Sequence, residues 1–176
     1  MNNVVDLPRV GKVGALACWE HIQPLLKYHT YLQREEIHVA AWPPLEPFVP
    51  SGSGLWGMSR EGCTGQSQQY ALESGAFVLQ TTGLMTEKAA ESMNLGGTPI
   101  YTKPGGGCAA VFGPDGRVMT DEQPDAEEKI IYVNLEMDAI LTARAFVDSC
   151  GHYSRPDMLW LGVDKRQPCH VEERRN

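Results

Sequence analysis

The sequence predicts a layered α/β protein, and three observations point to it. Short runs rich in Val, Ile, Leu, Phe or Ala recur along the chain, each bounded by Gly, Pro or polar residues. Between them lie longer stretches with helical spacing and helix stop signals. The order is strand, helix, strand, helix, then strands, then a helix, which suits helices layered on a sheet.

The first strand is expected over 12–17, a small apolar run that delivers Cys18 to a turn. A helix follows over 22–35, with Ile22, Leu25, Leu26 and Leu32 on one face and Pro24 in the first turn, where proline is tolerated. The stretch from Glu36 to Trp42 is mostly apolar on both faces, as a buried strand over 37–42 is. Residues 43–57 are rich in Pro, Gly and Ser and read as a long loop. A helix over 59–74 has Ser59 as N-cap and Gly75 as its C′ residue. A strand over 76–82 comes next, then a loop-like region over 83–107 with one short helix near 87–94. Strands are expected over 108–112 and 129–134, with Pro114-Asp115-Gly116 as a turn signal after the first of them. A last helix covers 137–148, with Gly151 as its stop. The chain reads as one domain over 1–164 and a polar, mobile tail over 165–176.

At 176 residues and 42% hydrophobic content the chain is long enough for a substantial core. Its net charge is −7 and its basic residues form no long run, which argues against nucleic acid as a partner. No apolar run approaches a membrane span, no signal-type apolar region follows Met1, and no Asn-x-Ser/Thr acceptor occurs. Five cysteines without regular spacing point to free thiols and a reducing, cytoplasmic compartment.

The chemistry concentrates at Cys18. A strand, a sharp turn and a helix lift a nucleophile above a sheet edge and aim backbone N–H groups at a developing oxyanion. A thiolate there needs a base and a positive neighbour. Glu20 is the nearest carboxylate in sequence and is open to two roles, substitute base or a hydrogen bond that fixes the turn. His21 is open to two as well, a Cys–His pair or capping and surface placement at the helix start. Lys12 and Lys27 are the local cations, and Lys27 falls where it faces solvent or a partner subunit. Trp42 and Pro43 leave a strand end, where pockets in α/β sheets lie, and either line a substrate pocket or anchor a loop with one buried indole. Zinc is disfavoured, because no Cys-x-x-Cys pair exists and Cys150-x-His152 is too tightly spaced. Gly105-Gly106-Gly107 lacks the Gly-Lys-Ser/Thr of a phosphate loop and reads as a turn or close-approach site.

From Ala15-Leu16-Ala17-Cys18-Trp19-Glu20-His21 onward the chain resembles the nitrilase family of carbon–nitrogen hydrolases. The likeness continues through Gln23-Pro24-Leu25-Leu26-Lys27-Tyr28-His29, His38-Val39-Ala40-Ala41-Trp42-Pro43, Pro104-Gly105-Gly106-Gly107 and Val111-Phe112-Gly113-Pro114-Asp115-Gly116. It ends in Cys150-Gly151-His152-Tyr153-Ser154-Arg155-Pro156-Asp157. The wording is most similar to fungal nitrilases acting on aromatic or arylaliphatic nitriles, with cyanide hydratase a close relative.

The resemblance implies a four-layer α-β-β-α sandwich, of which this chain looks like the C-terminal part. It implies Cys18 as nucleophile, the Trp19 backbone N–H as an oxyanion donor, and Glu20 and His21 in support. A small-molecule nitrile is the implied partner, with Trp42 and Pro43 at its pocket. Homo-oligomers, dimeric or spiral, are implied too, with the helix from Ile22 to Glu35 at the dimer contact. No organic cofactor or metal is implied. In the family the base glutamate and catalytic lysine lie upstream of the cysteine, and Met1 to Val10 carry neither motif. Three functions therefore stand side by side: nitrile hydrolysis to acid and ammonia; an inactive nitrilase fragment that acts by association; and a cyanide hydratase or amidase of the same superfamily.

Overall fold

The structure, a computed structural model, describes residues 3–52, 54–96 and 103–166. It is built on one five-stranded sheet in the order β1-β2-β3-β4-β5, where β1 is Val4–Leu7, β2 Gly11–Ala17, β3 Ile37–Trp42, β4 Phe77–Thr82 and β5 Ala110–Phe112. The centre, β2-β3-β4, is parallel; β1 and β5 run antiparallel at the edges. The helices are α1 (Pro24–Leu32), α2 (Arg60–Ser74), α3 (Glu87–Ser92) and α4 (Asp138–Phe146).

The pleat sorts the strand residues. Gly14 and Leu16 of β2, His38, Ala40 and Trp42 of β3, and Val78 and Gln80 of β4 are buried on one face. Leu16, Ala40, Trp42 and Val78 join Tyr31 of α1, Cys63, Tyr70 and Ala71 of α2, Leu45 and Phe112 in the core. On the opposite face Ile37 and Phe77, paired at the start of β3 and β4, are buried, while Ala15, Ala17, Val39, Ala41, Leu79 and Thr81 are half-buried to exposed. The expected layers are thus present as one helix layer on one sheet; a second sheet is not formed among the described residues.

Local signals explain the ends of the elements. Ser59 accepts from the Gly62 N–H and caps α2, and Gly75, at φ +58, ends it in the left-handed conformation. Pro24 occupies the first turn of α1. Pro114-Asp115-Gly116 is the expected turn, closed by Gly113 N–H donating to the Arg117 carbonyl.

Several expectations are corrected. β1 was not foreseen; it pairs Val4–Leu7 with β2 although three of its four side chains are exposed. The helix expected from residue 22 to 35 opens instead as a 3-10 turn, Cys18–Ile22, and becomes α-helical only from Pro24, which has no N–H to continue a preceding helix. The strand expected over 129–134 has no ladder partner: Ile130 is 75% and Tyr132 86% exposed, and only the alternate residues Ile131 and Val133 are half-buried, Ile131 lining a cavity with Thr82 and Leu84. α4 stops at Phe146 with an extended Val147, and Gly151 lies in a later turn, bonded to the Asp148 carbonyl. The polar tail falls outside the described residues after 166.

Candidate active site

β2 ends at Ala17, and Cys18 follows at φ +50. A side-chain-bearing residue in the left-handed region is strained and is held only where its surroundings insist on it. This is the geometry of an elbow: the chain reverses sharply at the carboxyl end of a central parallel strand and leaves Cys18 half-buried at the turn.

Two side chains of the same short segment hold the elbow. The Glu20 carboxylate accepts the Ala17 N–H at 2.7 Å, so it is engaged in fixing the turn. His21 places Nδ1 2.8 Å from the Cys18 carbonyl oxygen. A carbonyl only accepts, so that nitrogen carries the proton and donates. His21 is 2% exposed, which overturns surface placement, one of its two readings, and its ring bonds the Cys18 main chain. Its ring stacks on Trp42 at 5.0 Å and meets Tyr70 edge-on. Burial pushes its pKa down to about 4, with the neighbouring His38 and Lys27 pressing the same way, so the ring is neutral at pH 7.

Below His21 the row continues. His21 Nε2 lies 3.2 Å from His38 Nε2, and His38 Nδ1 lies 2.8 Å from Glu35 Oε2. Tyr70 donates its hydroxyl to Glu35 Oε1. Burial and the facing Glu35 drive the Tyr70 phenol far above its ordinary pKa, which keeps it a donor. His21, His38, Glu35 and Tyr70 are all buried. The row was not recognised in the sequence. Its one signal is an imidazole near the start of an otherwise apolar strand, three residues after a carboxylate.

The other expected site residues are placed as follows. Trp19, 39% exposed, lays its ring near Gly57. Trp42 is buried, with Nε1 donating to Ser67 Oγ at 2.9 Å, and reaches the elbow through the His21 ring; Pro43 is exposed at the strand end. Lys27 does not face solvent: it pairs with Glu73 of α2 at 2.5 Å, and Tyr31 donates to the same carboxylate. The described cysteines Cys18, Cys63, Cys108 and Cys150 are free thiols, and burial raises Cys63 to about 11. Among the described residues no group of three or more His, Cys, Asp or Glu is arranged to hold a metal, and no helix is long and apolar enough to cross a membrane.

Comparisons with known proteins agree with one another. Residues 2–145 match the family model for carbon-nitrogen hydrolases. An arylacetonitrilase of Aspergillus niger is 61% identical over 165 residues, covering 94% of this chain and 48% of the relative. An arylacetonitrilase of Aspergillus kawachii is 54% identical over 173 residues, covering 98% and 52%. The chain thus spans about half the length of the curated relatives it matches. Among solved structures, a carbon-nitrogen hydrolase from Helicobacter pylori superposes with a TM-score of 0.62 at 19% identity, covering 85% of this chain and 48% of the other. Nit3 of Saccharomyces cerevisiae, a nitrilase-superfamily member, superposes at 0.58 and 17% identity, covering 87% and 47%; at such identities the likeness is one of fold.

Proposed function

The chain belongs to the carbon-nitrogen hydrolase family, and from that premise we propose that its chemistry is the hydrolysis of a nitrile through Cys18. The observation that carries the proposal is the Cys18 elbow, left-handed at the carboxyl end of a central strand, in a chain more than half identical to arylacetonitrilases.

The thiol adds across the C≡N bond: sulfur bonds to carbon, the thiol proton ends on nitrogen, and a thioimidate forms. Water adds to that carbon and ammonia leaves, giving a thioester. A second water releases the carboxylic acid and restores the thiol. The Trp19 N–H points to the opposite side from the Cys18 carbonyl, because the two share one trans peptide plane, and it is the donor we assign to the developing negative charge. His21 holds that carbonyl, and Glu20 holds the strand end. Trp42 and Pro43 bound the nitrile pocket in this reading. The exposed Ile22 and Leu25 supply the contact between copies, and the free thiols suit a cytoplasmic setting.

One observation favours the second reading, a fragment that associates without turning over. Both neighbouring candidates for the base are occupied, Glu20 by the Ala17 N–H and His21 by the Cys18 carbonyl and His38. Ammonia release from phenylacetonitrile by this chain, beside Cys18→Ala, decides between the two. Release that vanishes in the variant supports hydrolysis at Cys18. A folded chain that releases none leaves the associating fragment, which size exclusion then shows as an oligomer. Formamide from cyanide, or faster turnover of an amide than of its nitrile, would instead place the site with cyanide hydratases or amidases.

A further inference from the structure

Tyr70 of α2, Glu35, His38 and His21 form a closed line of hydrogen-bonding groups that ends on the main chain of the nucleophile. Each position in the line is constrained by its neighbour. The Cys18 carbonyl has no proton, so His21 carries its proton on Nδ1 and offers a lone pair at Nε2. His38 must therefore present Nε2–H. Its other nitrogen faces Glu35 Oε2 at 2.8 Å, and Tyr70 already donates to the second oxygen. One proton sits between His38 and Glu35, as an imidazolium with a carboxylate or as a neutral imidazole with a carboxylic acid. In either form the order of donors above it is the same.

The backbone makes room for this line. Gly14 of β2 is the partner of His38 in the parallel ladder, and a Cβ added there would stand 1.9 Å from Glu35 Oε2. Arg144 of α4 donates to the Glu35 carbonyl at 2.5 Å and holds the carboxylate-bearing turn from outside.

We propose that Glu35 and His38 are positioning residues for the nucleophile: through the tautomer they impose on His21 they hold the Cys18 carbonyl inward and so keep the Trp19 N–H aimed away from the core. The inference deepens the nitrilase reading of Cys18 and rests on it. The groups facing the line are Glu20 from the elbow, Lys27 and Tyr31 from α1, Tyr70 from α2 and Arg144 from α4. None of them can supply the Nε2–H that His38 gives, since each is either bonded elsewhere or reaches another member of the row.

The test reads the tautomer and the thiol separately from turnover. In the wild-type chain, nitrogen-15 NMR of the imidazoles is expected to show His21 protonated on Nδ1 and His38 protonated on Nε2 across neutral pH. In Glu35→Leu the imposed order is lost. His21 then samples both tautomers, and alkylation of Cys18 by iodoacetamide, read by peptide mapping over a pH series, changes about tenfold, the worth of one hydrogen bond. Glu35→Gln is the rescue: a carboxamide donates to His38 and accepts from Tyr70, so tautomer and alkylation profile return to within about twofold of wild type. Where nitrile turnover is present, Glu35→Leu lowers kcat with KM little changed. A wild-type His21 protonated on Nε2 overturns the inference outright and needs no variant to fold. A Glu35→Leu profile identical to wild type, or a Glu35→Gln variant as impaired as Glu35→Leu, overturns it too. Absence of ammonia from every variant would sink nitrile hydrolysis while leaving the tautomer and alkylation results to judge the row.

Discussion

Ile37–Trp42 and the run over 129–134 make an instructive pair. Both string β-branched and aromatic residues together, and both read as strands from composition. The first is the central strand of the sheet, paired along its length on both sides, with Trp42 5% exposed. The second pairs with no strand; Tyr132 is 86% exposed, and only alternate residues such as Ile131 and Val133 are half-buried. Strand propensity measures how well a side chain fits a pleated, half-buried surface, so without a paired strand alongside it does not by itself make a ladder. The centre of the molecule is over-determined by pairing, packing and buried hydrogen bonds, and the later segment by very little.

Four substitutions or conditions would sharpen or break that contrast. The largest effect is expected at Phe77 of β4, 1% exposed in the same sheet: Phe77→Ala should cost about 4 kcal/mol in denaturant unfolding, the usual loss for a deleted core aromatic. A loss under about 1 kcal/mol would mean that the core is loosely packed.

Gly14→Ala comes next. Its Cβ collides with the Glu35 carboxylate, which cannot retreat without abandoning His38 or Tyr70, and overpacking of this kind costs about 3 kcal/mol. Unfolding at neutral pH checks it, and an unchanged midpoint would show that the carboxylate has somewhere else to go.

Acid should act on the centre with similar size. His21 takes a proton at about 4 in the fold but at 6.5 in the unfolded chain. As pH falls below 6.5 the unfolded state binds the proton first. Stability from this group is therefore complete above 6.5 and declines by about 3 kcal/mol by pH 4. Urea midpoints measured over that window test the sign, and His21→Phe, which keeps the stack on Trp42, should flatten the slope.

The smallest effect belongs to the other region. Tyr132→Ala removes an aromatic side chain of similar size to Phe77, yet unfolding should move by no more than about 0.5 kcal/mol. A larger loss would show that 129–134 is held in solution by contacts among this chain's own residues or between its copies.

The elbow was legible because its ingredients are adjacent: a small apolar run, a cysteine, then Glu20 three residues after Ala17, close enough to bond its N–H. Capping at Ser59 and Gly75 and the turn at Gly116 were legible for the same reason, since each depends on residues within a few positions. β1 was missed because its residues bury little; only the ladder to β2 makes them a strand. Lys27 was misplaced because its partner, Glu73, lies on another helix.

The amino-acid sequence by itself therefore determined the family, the α/β order of elements and Cys18 at a strand-to-helix turn, all of which rest on short-range pattern and wording. Only the tertiary structure decided what lies beneath the cysteine. The parallel register that sets Gly14 beside His38 opens the space for Glu35, and the packing of α2 brings Tyr70 onto that carboxylate. Such a row depends on which residues face one another across strands and helices, and the side-chain alternation along any single strand carries no record of that.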